Sequence, residues 1–403
     1  MPRTLTHSGS EKGAKPHLEE MVLGLTRRAV SLAPLLFAAP PSMPPLAPAG
    51  ATLEIPLRPC DVGALCAIVD LGRGVRVKAV VDTGSPHLTV PADGGCNERD
   101  GCADALAPAP GAPTSAIFGV GGVGVMRWRH ADRFIVAGVD LARAHDKSSP
   151  PPGVTVGVPD LLLRRASGGF FLGLIAASDD ADRRPLLSQL ELPRGDAADA
   201  PSGGLQIAAF RIDAPRRVLT FSSAPLISSA VDALQLVDLR PFGATVRHYA
   251  VRVSALEIDG VRLPLARMKR PVVCIFDSGL SCAVISSGLI ADAARAARGM
   301  RGARALDRPP DEWSSLALTM RTEQSAAVAL SAGSDGGPFF CAAVQEGGMY
   351  PEAARSPAPG DERPHFVAVG ATFVGGGVLT IDVFAGRASF EPGALHGNGA
   401  WYA

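Results

Sequence analysis

The sequence predicts an all-β protein built from two related halves. The 403-residue chain contains 45 glycines and 35 prolines, a composition typical of turn-rich β architectures. Each half has an acidic turn directly after a run of strand-forming residues, Asp82-Thr83-Gly84 and Asp277-Ser278-Gly279. An apolar stretch ending in glycine follows each turn, at Gly173, 91 residues after the first Asp, and at Gly370, 93 residues after the second. One such turn often only ends a strand, but two with nearly equal spacing to a later apolar-Gly stretch indicate an internal repeat.

Length and charge limit the classes of partner. The chain is long enough for two cores, and at 47% apolar and 19% charged residues it is globular. Lys plus Arg equals Asp plus Glu, at 39 each, so the chain has no net charge that would attract nucleic acid or an anionic membrane. We therefore expect no nucleic-acid partner.

Residues 1–50 are predicted to be a targeting or disordered segment. The apolar residues 29–40 follow Arg27-Arg28 and precede small residues, as in a signal peptide, and the run is too short to form a stable membrane span. Because residues 1–20 are long for such a signal, translation from Met21, an organellar transit peptide and plain disorder remain alternatives. We expect a secreted protein or one in an endomembrane or vacuolar lumen, with an organelle as the alternative.

The strand before the first acidic turn is the clearest single element. Residues 75–81 alternate between apolar and basic and then become fully apolar, as a strand does on entering a buried sheet, so they should deliver Asp82 into the interior. The other elements that the patterns predict are a hairpin around 116–118 and 123–128, a short helix at 185–192, a hairpin turn at Asp259-Gly260, a helix at 286–298, a hairpin at 316–320 and 326–330, and a last hairpin at 378–392.

This order of parts resembles the pepsin-like aspartic proteases, peptidase family A1, from about Ala51 to Pro392. Members have an early Asp-Thr-Gly-Ser, a disulfide loop, a glycine-rich flap hairpin, an apolar-Gly strand, a second Asp-Thr/Ser-Gly and a final apolar-Gly strand, and all six parts can be found here in order. The resemblance implies a bilobal fold with a few short helices, an N-terminal β lobe over 51–222 and a C-terminal β lobe over 223–403. It also implies a monomer that binds a polypeptide substrate between the lobes.

The resemblance further implies that Asp82 and Asp277 are the catalytic residues and share one proton. Two facing carboxylates cannot both ionise cheaply, so the ionised one activates a water while the protonated one polarises the peptide carbonyl. No cofactor and no metal are expected. Ser85 can orient Asp82, whereas its counterpart Leu280 cannot do so for Asp277. The residues expected to support the pair are Thr83 and Ser278, through hydroxyls that bond across the lobes, Gly84 and Gly279, through close backbone approach, and Ser85.

The expected flap departs from the family pattern. Phe118 stands before Gly119 where the family has a tyrosine, and the family's tryptophan that holds this tyrosine falls at Thr89. A hydrogen bond from the flap to the strand beyond the first Asp is therefore missing. Phe118, Gly119, Val120 and Gly121 can still cover the cleft by apolar contact, so we expect altered specificity rather than loss of hydrolysis.

Two other sites compete for these residues. Residues 119–124 match G-x-G-x-x-G, a dinucleotide fingerprint, but residues 125–130 alternate and offer no helix N-terminus to a pyrophosphate. The eight histidines form no metal spacing, and His87 is interpreted as a solvated residue at a strand entrance.

Four of the seven cysteines form two pairs with the same spacing. The resemblance implies a disulfide between Cys96 and Cys102, and Cys60 with Cys66 is a plausible second pair. Zinc is the alternative use of four cysteines, but the spacing is wider than usual for zinc and no histidine lies close.

The other three cysteines are less clear. Cys274 and Cys282 flank the second acidic turn on apolar strands, which favours buried free thiols. Cys341 falls where the family has one disulfide partner, but no cysteine stands where its mate belongs, so its pairing stays open.

The predicted function is that of an aspartic endopeptidase. The alternative is a protein of the same fold that binds polypeptides, or inhibits carbohydrate-active enzymes, without cutting them. Such relatives usually lose an acid or its turn, and this chain keeps both acids.

Overall fold

A computed structural model describes most of the chain after residue 49. The described residues are 50–60, 64–92, 96, 101–118, 122–142, 153–160, 170–179, 183–194, 204–300, 302, 304, 306, 308, 312–333, 340–344, 362–371 and 376–392, with the backbone alone for 115–118, 122–123, 332–333 and 340–344. They belong to one compact unit, residues 47–403. The predicted targeting segment thus lies almost wholly outside the described residues.

The described chain is mostly β-strand with one α-helix, which confirms the all-β class. In the first half the strands are β1 (Thr52–Pro56), β2 (Arg58–Pro59), β3 (Leu65–Asp70), β4 (Arg76–Asp82), β5 (Leu88–Thr89), β6 (Ala107–Pro108), β7 (Thr114–Phe118), β8 (Gly122–Ala131), β9 (Ile135–Val136), β10 (Val139–Asp140), β11 (Val154–Pro159), β12 (Phe171–Gly173), β13 (Glu191–Leu192), β14 (Leu205–Gln206), β15 (Ala209–Asp213) and β16 (Val218–Ser222). In the second half the elements are β17 (Leu234–Val237), β18 (Ala250–Ile258), β19 (Val261–Arg262), β20 (Val272–Phe276), β21 (Ala283–Ser286), α1 (Ser287–Ala296), β22 (Ser315–Arg321), β23 (Ala327–Gly333), β24 (Phe340–Val344), β25 (His365–Val369), β26 (Val378–Asp382) and β27 (Arg387–Glu391). Short 3-10 turns occur at Leu186–Gln189, Arg240–Phe242 and Leu265–Arg267.

The sheet of the first half surrounds the strand that ends at Asp82. Strand β4 pairs antiparallel with β3 and parallel with β12, so that Gly173 lies opposite Asp82. Strand β12 then pairs antiparallel with β5, which pairs parallel with β11. The strands on either side of β4, β3 and β12, are apolar and largely buried. The carboxyl group of Asp82 therefore lies at the interior end of a packed sheet.

The second half repeats this pairing. Strand β20 pairs antiparallel with β18 and parallel with β25, which places Val369 opposite Phe276. Strand β25 pairs antiparallel with β21, and β21 pairs parallel with β24. The succession β4, β12, β5, β11 therefore has its counterpart in β20, β25, β21, β24. The repeat that the sequence predicts is thus present in the strand pairing.

A third group of strands joins the two halves. It runs in the order β1, β16, β15, β26, β27, β17, with Phe210 of β15 opposite Ile381 of β26. Both residues are fully buried. The last hairpin of the chain, predicted at 378–392, therefore pairs with strands of the first half.

Most predicted elements are confirmed, and one is not. The Asp259-Gly260 turn has positive φ at both residues, 48° and 75°, as a tight two-residue hairpin turn requires. The helix predicted at 185–192 is only a 3-10 turn, Leu186–Gln189. The side chain of Gln189 accepts a hydrogen bond from the backbone of β11 and Leu190 bridges to Ala142, so these residues are drawn into sheet contacts instead of a longer helix. None of the described helices is long and apolar enough to cross a membrane.

Candidate active site

The two acidic turns meet at the interior ends of their strands. The carbonyl oxygen of Asp82 accepts a hydrogen bond from Leu174, and the backbone amide of Asp277 donates to the carbonyl of Val369, at 2.8 and 3.0 Å. In both halves the apolar-Gly segment therefore holds the acidic residue from the neighbouring strand. The spacing predicted that each half has such a segment, and the structure shows how it contacts the acidic residue.

The two turns are joined by reciprocal hydrogen bonds. The backbone amide of Thr83 donates to the hydroxyl of Ser278 at 3.1 Å, and the amide of Ser278 donates to the hydroxyl of Thr83 at 2.9 Å. The Thr83 hydroxyl donates in turn to the carbonyl of Phe276 at 2.8 Å, and the Ser278 hydroxyl to that of Val81 at 2.7 Å. Each hydroxyl thus accepts a hydrogen bond from a main-chain amide of the opposite half and donates one to a main-chain carbonyl there.

Gly84 and Gly279 explain why the turns require glycine. A Cβ atom on Gly84 would collide with the carboxyl group of Asp277, and one on Gly279 would collide with that of Asp82. Each carboxyl group therefore packs on the backbone of the opposite turn. Neither position needs a special φ, so the requirement is for space.

The two carboxyl groups form one hydrogen-bonded pair. Asp82 is buried, with 5% of its surface exposed, and the Gly84 amide donates to its Oδ1 at 2.7 Å. The Gly279 amide donates to Oδ1 of Asp277 at 3.2 Å. The side chains of Asp82 and Asp277 also hydrogen-bond to each other. A carboxyl–carboxyl hydrogen bond requires one proton between the two groups.

The pKa values of both carboxyl groups are raised, that of Asp277 more strongly. Burial raises the pKa of Asp82, while the nearby Ser85 hydroxyl and the Gly84 amide lower it. Burial and then the negative charge of Asp82 raise the pKa of Asp277 well above its usual value. Leu280 contributes only its backbone amide to Asp277, as the sequence predicted from its apolar side chain. The Ser85 hydroxyl, which the apolar side chain of Leu280 cannot replace, contributes to this difference in pKa.

The hairpin β7–β8 is described in its strands and not at its tip. Phe118 ends β7, and Gly122 begins β8, whereas Gly119, Val120 and Gly121 lie outside the described residues, as does the side chain of Phe118. Their predicted role at the cleft stays a prediction. The glycines are followed by a ten-residue strand, β8, so the structure gives a dinucleotide no helix N-terminus at this place.

Thr89 has a structural partner of its own. Its hydroxyl accepts a hydrogen bond from the backbone amide of Phe171, at 3.0 Å, on the strand beside Asp82. In the sheet, Thr89 lies opposite Gly157, and Gly157 lies opposite Trp128 of β8. The indole ring of Trp128 therefore lies two strands away from Thr89, at the corresponding position across the sheet.

The sequence missed two contributions to the site. Tyr249, buried on the second half, donates its hydroxyl to the carbonyl of Leu174 at 2.6 Å and so fastens one half to the other next to Asp82. His87, interpreted as solvated, is instead half-buried with its ring 4.9 Å from that of Trp128. Nothing in the local pattern of either residue signals such long-range contacts.

The cysteines follow the predictions in part. Cys60–Cys66 and Cys96–Cys102 are disulfides, with Cα–Cα distances of 5.7 and 5.0 Å. Cys96 and Cys102 also lie near Asp104, and this is a group of residues that could hold a metal ion. Since both sulfurs are in a disulfide, they offer no thiolate to a metal.

Cys274 and Cys282 differ from each other. Cys274 is a buried free thiol, as predicted. The prediction of a free thiol at Cys282 is wrong, because Cys282 is in a disulfide. Cys282 directly precedes β21, which pairs with β24. The side chain of Cys341, on β24, lies outside the described residues, so its pairing stays open.

Comparison with protein-family models found no match, and comparison with curated proteins found none either.

Proposed function

We propose that the protein is an aspartic endopeptidase with a bilobal, pepsin-like fold. One observation carries the proposal: the carboxyl groups of Asp82 and Asp277, from repeated strand–turn units, lie together, each against the glycine of the opposite turn. The pKa values of both are raised, that of Asp277 well above the usual value, so we assign the shared proton to Asp277. Two further features support the proposal, because they hold the carboxyl groups of Asp82 and Asp277 next to each other. These are the reciprocal hydrogen bonds of Thr83 with Ser278 and the close packing at Gly84 and Gly279.

The reaction follows from the two protonation states. Asp82 accepts a proton from a water molecule as the water oxygen attacks the carbonyl carbon of the peptide bond. Asp277 donates its proton toward the carbonyl oxygen, which stabilises the charge that develops there. Asp82 then passes the proton it took from water to the amide nitrogen, and Asp277 takes back a proton from a hydroxyl of the tetrahedral intermediate as the C–N bond breaks. The products are a carboxylic acid and an amine, and both acids return to their starting states. No covalent bond to the protein forms, and no cofactor is consumed.

The disulfides support a compartment for this activity. Disulfides persist in oxidising environments and are rare in the cytosol. With the disulfides Cys60–Cys66 and Cys96–Cys102, and Cys282 in a further one, we propose a secreted or lumenal protein that acts on polypeptides as a monomer.

The test is cleavage of an unfolded protein. Purified protein should cleave denatured globin at acid pH, a statine-type inhibitor should block cleavage, and Asp82→Asn should lower kcat by about 10²- to 10⁴-fold, the range for loss of a general base. Asp132→Asn, which changes an exposed carboxylate far along the chain, is the matched control.

The outcomes separate hydrolysis from binding. Cleavage by Asp82→Asn at the wild-type rate would exclude the mechanism. Statine binding by the wild type without cleavage at any pH from acid to neutral would favour the alternative, a polypeptide-binding protein of the same fold.

A further inference from the structure

Trp128 lies at the centre of a stack of three side chains, in which Trp128 and Arg183 are buried and His87 is half-buried. Its own exposed fraction is 6%, and the edge of its ring faces the ring of His87, with centroids 4.9 Å apart at 80°. The guanidinium carbon of Arg183 lies 5.1 Å from the Trp128 ring centroid, and Arg183 is 8% exposed. A cation over an aromatic face and an edge-on ring are both favourable contacts, more so when water is excluded.

The three side chains come from separate segments. Trp128 belongs to β8, and its indole N–H donates to the hydroxyl of Thr114 on β7 at 3.1 Å, so the ring is attached to both strands of the hairpin. Arg183 precedes the 3-10 turn and donates to the carbonyl of Ala112 at 3.3 Å, just before β7. The stack therefore connects the hairpin β7–β8 with the segment that contains His87.

The segment that contains His87 is continuous with the Asp82 turn. Its backbone carbonyls accept four hydrogen bonds from the chain packed against it, and three of these come from residues 173–175, at the end of β12, the strand opposite Asp82. The bonds are Leu174 to Asp82 at 2.8 Å, Ile175 to Ser85 at 3.0 Å, Leu186 to Pro86 at 2.6 Å and Gly173 to His87 at 3.1 Å. A displacement of His87 is thus transmitted to residues 173–175, which hold Asp82 in place.

We propose that Trp128 is a positioning residue for Asp82, acting through His87 and Arg183. The proposal rests on the proposed function, since it names a residue that supports the ionised carboxylate of that site. With the indole ring in place, His87 has a rigid surface to pack on and residues 82–87 keep the geometry that the reaction requires. Without the ring, this segment and residues 173–175 open more often and Asp82 spends less time in place.

Three variants of the full chain test the proposal. Trp128→Leu removes the ring, Trp128→Phe keeps a ring against His87 and Arg183 but removes the N–H, and Phe134→Leu removes a fully buried ring elsewhere in the same half. We expect Trp128→Leu to lower kcat on a peptide substrate by about 10- to 100-fold, the cost of misplaced reacting groups. KM should change by less than about threefold, because the variant displaces Asp82 and removes no side chain that we propose to bind the peptide. Trp128→Phe should recover most of kcat, and Phe134→Leu should leave kcat near the wild-type value.

Hydrogen exchange gives a readout that does not depend on cleavage. The amides of residues 173–175 should exchange at least about tenfold faster in Trp128→Leu than in Phe134→Leu, with the amide of Asp277 unchanged. Equal exchange in these two variants, or equal loss of kcat in both, would overturn the proposal. If the wild type does not cleave and the exchange difference is present, the proposed function fails while Trp128 remains the support of this turn.

Discussion

Thr83 and Ser278 hydrogen-bond to each other in both directions, each backbone amide donating to the other's hydroxyl, at 3.1 and 2.9 Å. The two residues are 195 positions apart in the chain. The same hydroxyls also donate to main-chain carbonyls of the opposite half. The two acidic turns are therefore a single structural unit, and the separation of Asp82 and Asp277 is set by hydrogen bonds rather than by the carboxyl groups, which repel when ionised.

Removing one hydroxyl should destabilise this unit. Thr83→Val keeps the shape and leaves the amide of Ser278 without its acceptor, so we expect a loss of about 1–3 kcal/mol in the free energy of unfolding and a fall in kcat. Ser278→Ala should act in the same way, and the double variant should show a coupling of about 0.5–3 kcal/mol. Urea denaturation of all four proteins measures this. Strictly additive losses would mean that the two hydroxyls do not act together.

Asp277→Asn should stabilise the fold at neutral pH while abolishing activity. The raised pKa of Asp277 means that, above the usual aspartate value, the folded state keeps a proton that the unfolded state releases, so folding of the wild type is penalised as pH rises. Asparagine stays neutral and can still donate to Asp82. We expect a gain on the order of 1–2 kcal/mol, a common size for one substitution, at neutral pH and none in acid below the usual aspartate pKa.

Thermal unfolding measured across this pH range checks that sign. We expect Tm to rise by about 2–4 °C for each kcal/mol gained, the range for domains of about 150–250 residues. A variant that gains as much stability in strong acid as at neutral pH would show that Asp277 is not the protonated partner.

Leu280→Ser should shift the pH dependence of hydrolysis. A hydroxyl at this position can donate to the ionised form of Asp277 and so lowers its pKa, as the nearby Ser85 hydroxyl lowers that of Asp82. Because the reaction requires Asp277 protonated, the fall in kcat/KM at higher pH should move to lower pH. Leu280→Ala removes the same apolar atoms without adding a donor and is the control. An identical pH profile for both variants would exclude the effect.

Gly84→Ala should separate the two carboxyl groups. The added methyl group would overlap the carboxyl of Asp277, so the turns must move apart, at a cost of about 1–3 kcal/mol in stability and with loss of most activity. Gly376→Ala is the matched control, because a Cβ there meets nothing within 4 Å. Retention of wild-type kcat by Gly84→Ala would show that the carboxyl groups have more room than this geometry gives them.

The strand ends and the acid pair could be predicted from sequence because they depend on local patterns that recur. The alternation before Asp82 and the Asp259-Gly260 turn are set by neighbours in the chain, and both are confirmed. The repeat then places Asp277 by analogy with Asp82. One contribution to the asymmetry of the pair was predictable too, because Leu280 lacks the hydroxyl that Ser85 offers to Asp82.

Contacts between distant segments could not be predicted. Tyr249, the stack on Trp128 and the disulfide of Cys282 all depend on which segments the sheet brings side by side. The short helix predicted at 185–192 failed for the same reason, because Gln189 bonds to β11 rather than continuing a helix. Local propensity is overridden wherever tertiary contacts satisfy the same backbone and side-chain groups.

His365 and Asp292 form a second buried pair that should affect stability but not chemistry. His365, 1% exposed, begins β25, the strand that supports Asp277, and its Nε2 lies 2.9 Å from Oδ2 of Asp292 on α1. Burial by itself would raise the pKa of Asp292, but the hydrogen bond and charge of His365, together with Arg295 and Arg270, lower it.

A lowered aspartate pKa stabilises the folded state above the usual value, and this contribution is lost as pH falls through the lowered one. Asp292→Asn should therefore cost about 1–3 kcal/mol at neutral pH, because buried His365 loses a charged partner, and progressively less in acid. Asp132→Asn, at a surface ion pair, should cost under about 1 kcal/mol. Chemical denaturation at neutral and acid pH measures both variants. A cost for Asp292→Asn that does not decrease in acid would mean that the pair contributes through packing and not through its charge.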